Sequence, residues 1–316
     1  MGKRTYLACV LVGLLAATGC GDDGGGSTAD AQIVVFDDAA IPDAPVPIPD
    51  AATPDADLSS APPAFRVTKI WLRDPHVFAP NGTIVVGCSD VTDSSAVGFS
   101  ANGQIQEAID TDGDDADLFL DLSLVAVFDP LNTTDAATGN VTIGSGDCLV
   151  SSPRDCTEST TTAAQTTTYL NVGTGSCQMA HANTLSSAGY SPAVEFPSNE
   201  CFSTGSVTMD FNLAGAQITL ESVDVAAVYN GDPNTQSLIK GVIRGFLSEA
   251  NAANASIPTP IGAFNLATML PGGSTCPGMH DDRDNLIPGD GKSTLGWWFY
   301  LNFEATRLLG YTPASP

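Results

Sequence analysis

The sequence predicts a mainly β fold, a β-sandwich or barrel-like domain carrying one amphipathic helix and one or two short ones, with α+β as the alternative arrangement. Three observations predict it. Val207, Met209, Phe211 and Leu213 alternate with polar residues, the period of a strand with one face turned to a core. Further short apolar runs are divided by Gly, Asn, Asp and Pro, which punctuate strands rather than helices. Only one stretch carries a long helical period.

Taken in order, strands are expected at 65–72, 82–88, 117–128, 166–172, 207–213, 218–228 and 294–304. A helix is expected over 100–109, with Ser100 as its cap and Ile105, Ala108 and Ile109 turned inward. The long helical period falls at 237–252, where Leu238, Ile239, Val242, Ile243, Phe246 and Leu247 recur at helical spacing and Lys240, Arg244 and Glu249 take the other side. A last helix is expected from Phe264 to Leu270, stopped by Pro271-Gly272-Gly273.

The segment before the domain is of a different kind. Lys3 and Arg4 precede an apolar run from Tyr6 to Ala17, too short for a spanning helix, which needs about 20 residues. Small residues follow at Thr18 and Gly19, so residues 1–19 read as a secretory signal peptide. The stretch Leu15-Ala16-Ala17-Thr18-Gly19-Cys20 resembles the lipobox of bacterial lipoproteins, with Ala17 at the place where Leu is usual. That resemblance implies cleavage before Cys20, acylation of its thiol and a lipid-anchored protein of the bacterial cell envelope. Gly21, where Asp would hold an enterobacterial lipoprotein at the inner membrane, favours the outer membrane.

Residues 21–62 hold nine Asp and no Lys, Arg or Glu, with repeated Pro, Gly, Ala and Ser. Such a composition buries too little apolar surface to offset the entropy of ordering, so with Cys20 it reads as a disordered acidic tether. Residues 63–316 are then expected to form a single disulfide-bonded domain.

Net charge excludes some partners. The whole chain carries −25, and loss of the signal leaves 9 basic against 36 acidic residues, a net −27. Nucleic acid and anionic lipid surfaces are poor partners for such a polyanion, so no nucleic-acid role is expected. The membrane is reached through the anchor, and a glycan or protein ligand is the other partner class. The six cysteines of the domain form an even set in an exported chain, which favours disulfides. Loop lengths suggest Cys148 with Cys156 and Cys177 with Cys201, leaving Cys88 for Cys276.

Candidate chemistry is sparse. Asp110, Asp112, Asp114 and Asp121 stand at positions 1, 3, 5 and 12 of an acidic loop, with Asp117 in between. The loop resembles an EF-hand or dockerin-type calcium loop, departing from it at Asp115, where Gly is usual, and at Asp121, where Glu is usual. It implies calcium as the one candidate cofactor. A second acidic cluster, His280-Asp281-Asp282-Arg283-Asp284, could share hydrolytic work with the first if the fold joins them. Gly289-Asp-Gly-Lys-Ser-Thr294 lacks the Gly, the preceding strand and the following helix of a phosphate loop. No nucleophile elbow or His-Glu-x-x-His pair occurs, so the domain is read as a binding or scaffolding module, with an envelope hydrolase using paired carboxylates or a structural surface coat protein as the alternatives. Trp297 and Trp298, neighbours in a strand, face opposite ways, and one of them with Tyr300 could offer an aromatic face to a sugar ring.

Overall fold

A computed structural model describes residues 62–313, except 81–86, 96–97, 99, 114–115, 182–188, 214–215, 232–234, 260–261, 274–275, 277–279 and 287–292. These residues belong to the unit Thr53–Pro316. Cys20 and the tether lie outside them. The elements are β1 (Ala64–Asp74), β2 (Phe78–Pro80), β3 (Cys88–Asp90), α1 (Ala101–Asp110), β4 (Leu124–Asp129), β5 (Thr138–Leu149), β6 (Ser152–Glu158), β7 (Gln165–Val172), β8 (Cys201–Thr204), β9 (Val207–Leu213) and β10 (Ala216–Asn230). They continue with β11 (Ser237–Ser248), α2 (Glu249–Asn254), β12 (Ser256–Thr259), β13 (Gly262–Asn265), α3 (Leu266–Met269), β14 (Asp284–Leu286), β15 (Thr294–Arg307) and β16 (Gly310–Thr312).

Strand pairing decides between sandwich and barrel. The ladder runs β5-β4-β1-β15-β11-β10-β8-β7, and β7 pairs back onto β5 through Thr138–Ile143 against Gln165–Leu170. Every pairing in this ring of eight strands is antiparallel, so the sheet closes on itself and leaves no free edge within the ring. Closure bends the strands at bulges, among them shifts between Glu221 and Asp224 and between Leu238 and Gly241. Ser222 and Lys240 take φ values of 52° and 50° there. Gly241 is required by a close approach, since a Cβ on it would stand 2.4 Å from the Phe303 ring.

Residues of the main core fill the ring. At one end, Phe128 meets Phe65, Tyr169 and Phe202 edge to face at 5.7, 5.2 and 5.1 Å. At the other, α1, α3 and the β9–β10 hairpin cover aliphatic residues of β1, β4 and β15. Helix α1 forms as expected, with the Ser100 hydroxyl accepting from Gly103 N–H and Ile105, Ala108 and Ile109 buried.

The expected helix over 237–252 is instead strand β11, followed by the short α2. Leu238, Ile243 and Leu247 enter the main core, while Val242 and Phe246 on the other face pack with Trp298, Tyr300, Ala180, Val194 and Phe196. Burial on both faces produces adjacent apolar pairs, and with the bulge near Lys240 their spacing imitates a helix. Two smaller corrections follow the same logic of local context. The strand expected over 117–128 begins only at Leu124, and Gly262–Asn265 is strand β13, with Asn265 capping the four-residue α3. Of the strand expected at 82–88, residues 82–86 lie outside the described residues, and Cys88 opens β3.

All three expected disulfides form: Cys88–Cys276, Cys148–Cys156 and Cys177–Cys201. The first spans 188 residues and joins β3 to the loop after α3, beside the covered end of the ring.

Candidate functional site

The described feature best suited to hold a ligand is a cavity of about 100 Å³ at the covered end of the barrel. Its floor is barrel interior: Ile70 and Leu72 of β1, Leu124 of β4, Phe299 and Leu301 of β15 and Leu220 of β10. Its roof is Ile105 of α1, Leu266 and Met269 of α3, and Ile257 of β12. It reaches half-buried residues at Ala101, Gln104, Phe211 and Ile218, which form the rim. Gln104 is the one lining residue with a polar side chain.

The sequence produces this space by residue choice. Where aromatic rings meet across the ring of strands, the interior is filled. At the covered end the inward positions are largely Ile and Leu, which leave room between sheet and helices. Walls that offer no hydrogen bond exclude a polar guest, because each buried unpaired polar group costs about 1–3 kcal/mol. An apolar guest loses nothing on entry and gains dispersion contacts.

A separate polar cluster joins residues far apart in sequence. His76 Nδ1 lies 2.5 Å from Asp90 Oδ2, and the His76 ring stacks on Tyr190 at 4.0 Å between centroids. The Tyr190 hydroxyl donates to Asp282 Oδ2, and the other oxygen of Asp282 lies 2.7 Å from His280 Nδ1. Burial and the Asp282, Asp74 and Asp90 carboxylates hold the Tyr190 hydroxyl far above its usual range. Burial alone would raise the Asp90 carboxyl, but hydrogen bonds from His76 and Thr92 outweigh it and hold it below the usual value. His76 is buried, and its Nε2 has no hydrogen-bond partner among the described residues. Val77 lines the cavity but His76 does not, so the cluster and the cavity are neighbours rather than one site. Sequence reasoning found Asp282 and His280 but not Asp90, Tyr190 or the pairing with His76, because no short motif joins them.

The two acidic clusters do not converge. Asp110 ends α1 beside Arg66, whose guanidinium donates to Ile109 O and whose pKa is lowered by burial against an opposing pull from Asp110. Asp282 instead lies with Asp74, at the far end of β1, through Tyr190. Arg66 lies near the start of β1 and Asp74 at its end, so the two clusters sit by different ends of that strand.

Within the first loop, Asp112 accepts from Leu118 N–H at 2.9 Å, Asp117 from Phe119 N–H at 2.8 Å and Asp121 from Gly113 N–H at 3.4 Å. The second oxygen of Asp112 is buried without a hydrogen-bond partner among the described residues. Asp110 accepts from Gln106, and Asp114 lies outside the described residues. Among the described residues, no group of three or more His, Cys, Asp or Glu is arranged to hold a metal ion.

Trp297 and Trp298 do face opposite ways, Trp297 into the main core and Trp298 with Tyr300 into the second cluster. Both faces are covered. Trp297, Trp298 and Tyr300 are 1, 3 and 0% exposed. The His181 ring stacks on Trp298 at 4.2 Å, and the Tyr300 hydroxyl oxygen accepts from His181 N–H at 2.8 Å. The aromatic face is therefore occupied by the chain's own segment around 178–181 and 194–196.

The fold and cavity define a closed eight-stranded antiparallel barrel with a covered apolar interior. No family model, no curated protein and no solved structure matches the chain.

Proposed function

We propose that this chain is a lipid-anchored protein of the bacterial cell envelope whose barrel is a non-catalytic binding domain for a small apolar ligand. The cavity carries this reading: fifteen of its sixteen lining residues are apolar, and it sits at the covered mouth of a barrel, a common place for a small-molecule site. A guest there is shielded from water on all sides but the rim. The wide separation of the two acidic clusters weighs against an envelope hydrolase acting through them, and the covered Trp298 and Tyr300 weigh against a glycan shelf. A cavity also has no purpose in a pure surface coat.

The anchor is Cys20, and acylation there would place the barrel at a membrane surface, at the end of an acidic tether. Calcium, if bound at 110–121, serves as a structural accessory that relieves repulsion among the carboxylates and joins α1 to the chain leading into β4. Added calcium then raises the melting temperature more than magnesium does, and Asp112→Ala removes the difference.

The binding test uses the mature chain with Cys20→Ala and the neutral fluorophore N-phenyl-1-naphthylamine. Saturable fluorescence enhancement at one site per chain is expected, and Ala101→Phe at the rim abolishes it while leaving the urea midpoint unchanged. Enhancement that survives Ala101→Phe places the probe elsewhere and removes the cavity from the reading. Partitioning of the native chain into detergent, lost in Cys20→Ala, checks the anchor separately.

A further inference from the structure

Taking the cavity as the ligand site, we propose that it selects hydrocarbon chains that end in a cationic head group and discriminates against free carboxylates, with Glu107 as the residue that reads the charge. The inference rests on the binding reading above and adds what the rim chemistry demands of the guest.

The rim has one polar side chain, Gln104, and its amide nitrogen is already engaged. Gln104 Nε2 donates to Glu107 Oε2 at 3.1 Å. That bond holds the exposed Glu107 carboxylate beside the cavity mouth, one helical turn along α1. A second carboxylate, Asp93, is fixed at the first turn of the same helix by Asn102 Nδ2 at 2.7 Å. None of the sixteen lining residues is Lys or Arg.

The one local feature that could favour an anion is the N-terminus of α1, since Ala101 and Gln104 both line the space. Its donors are already used. Ala101 N–H donates to Val91 O at 2.8 Å, Asn102 N–H to Thr92 O at 2.9 Å, Gly103 N–H to the Ser100 hydroxyl at 3.2 Å and Gln104 N–H to Ser100 O at 3.0 Å. A carboxylate arriving at the mouth finds none of these four backbone donors free and meets the Glu107 carboxylate. An ammonium finds two acceptors, the Glu107 carboxylate and the Gln104 amide oxygen, while its chain enters walls that ask for no hydrogen bond. The net charge of the chain adds a long-range term of the same sign.

Decylamine, decanol and decanoate share a chain and differ in head group, so competition of each against N-phenyl-1-naphthylamine at pH 7 separates chain recognition from charge recognition. The amine is expected to bind about fivefold tighter than the alcohol and the carboxylate about fivefold weaker, the scale of an exposed ion pair. Raising the salt concentration should compress both ratios. Glu107→Gln, an exposed substitution that keeps the Gln104 contact, should remove most of the advantage of the amine and leave the alcohol unchanged. Equal affinities for the three ligands, or tighter binding of decanoate, overturn the charge selection while leaving apolar binding intact. Failure of all three to compete removes the apolar binding reading itself, and this inference falls with it. An amine preference unaltered by Glu107→Gln overturns the role of that residue.

Discussion

The two ends of the barrel solve the same problem differently. At one, Phe65, Phe128, Tyr169, Phe202 and Tyr229 meet edge to face or tilted and occupy the space between strands. At the other, Ile and Leu line a cavity roofed by α1 and α3. A closed ring of eight strands has an interior that side chains can fill or leave partly open, and side-chain size decides which. The filled end also keeps its polar tips satisfied, because Tyr169 donates its hydroxyl to Pro130 O at 2.6 Å and Tyr229 to Asn171 Oδ1 at 2.9 Å. The aromatic end therefore supplies rigidity, and the aliphatic end supplies room.

Removing a ring from the filled end should cost most. Phe128→Ala leaves a void amid four aromatic partners and should lower stability by about 3–5 kcal/mol, read as a shift of the urea midpoint at constant m. A cost below about 1 kcal/mol would mean that the aromatic end is as loosely packed as the other.

Next in size is the bond that fastens the covered end. Cys88→Ala with Cys276→Ala opens a closed loop of 188 residues and should cost about 2–4 kcal/mol. If the cavity depends on that fastening, probe affinity falls with it, whereas the aromatic end keeps its near-ultraviolet circular dichroism until global unfolding.

Enlarging a side chain tests the difference in room. Leu220→Phe should be tolerated at the cavity end, within about 1 kcal/mol, because the added atoms have space, while probe binding is lost. The same kind of enlargement at Val141, buried in the filled end, should cost about 1–3 kcal/mol.

The smallest expected effect concerns the His76–Asp90 pair beside the cavity. Asp90 titrates below the ordinary carboxylate value of 3.8, so its ionised form is favoured by folding. That contribution is complete above the ordinary value and is lost as pH falls through the lower native value. Wild type should melt above Asp90→Asn at pH 7, and the gap should close below about pH 4. A gap that persists unchanged at pH 3 would assign it to the shape of the side chain rather than its charge.

Much of the fold was legible where one face of a strand is buried. Strands β1, β7, β9, β10 and β15 follow from alternation, and α1 from its cap and its inward residues. Strand β5 was not, since Gly139, Gly144 and Gly146 interrupt it and only Val141, Ile143 and Cys148 supply buried apolar side chains. Strand β11 was misread because both of its faces are buried, one by the barrel core and the other by the segment carrying Ala180, Val194 and Phe196. Neither the cavity, which gathers residues from eight elements, nor the His76–Tyr190–Asp282 cluster, which joins loops distant in the chain, has a local pattern.

The sequence by itself determined the β class, the acidic balance and the placement of α1, because each depends on local period or composition, while the pairing of the cysteines it only suggested. Only the tertiary structure decided that the sheet closes, that β11 is a strand, that Trp298 and Tyr300 are covered, and that the two acidic clusters stand apart. Those outcomes depend on which strands pair and what lies on each face of them. Pairing between β5 and β7 is set by the packing of the whole ring, and that is a property no window of the chain contains.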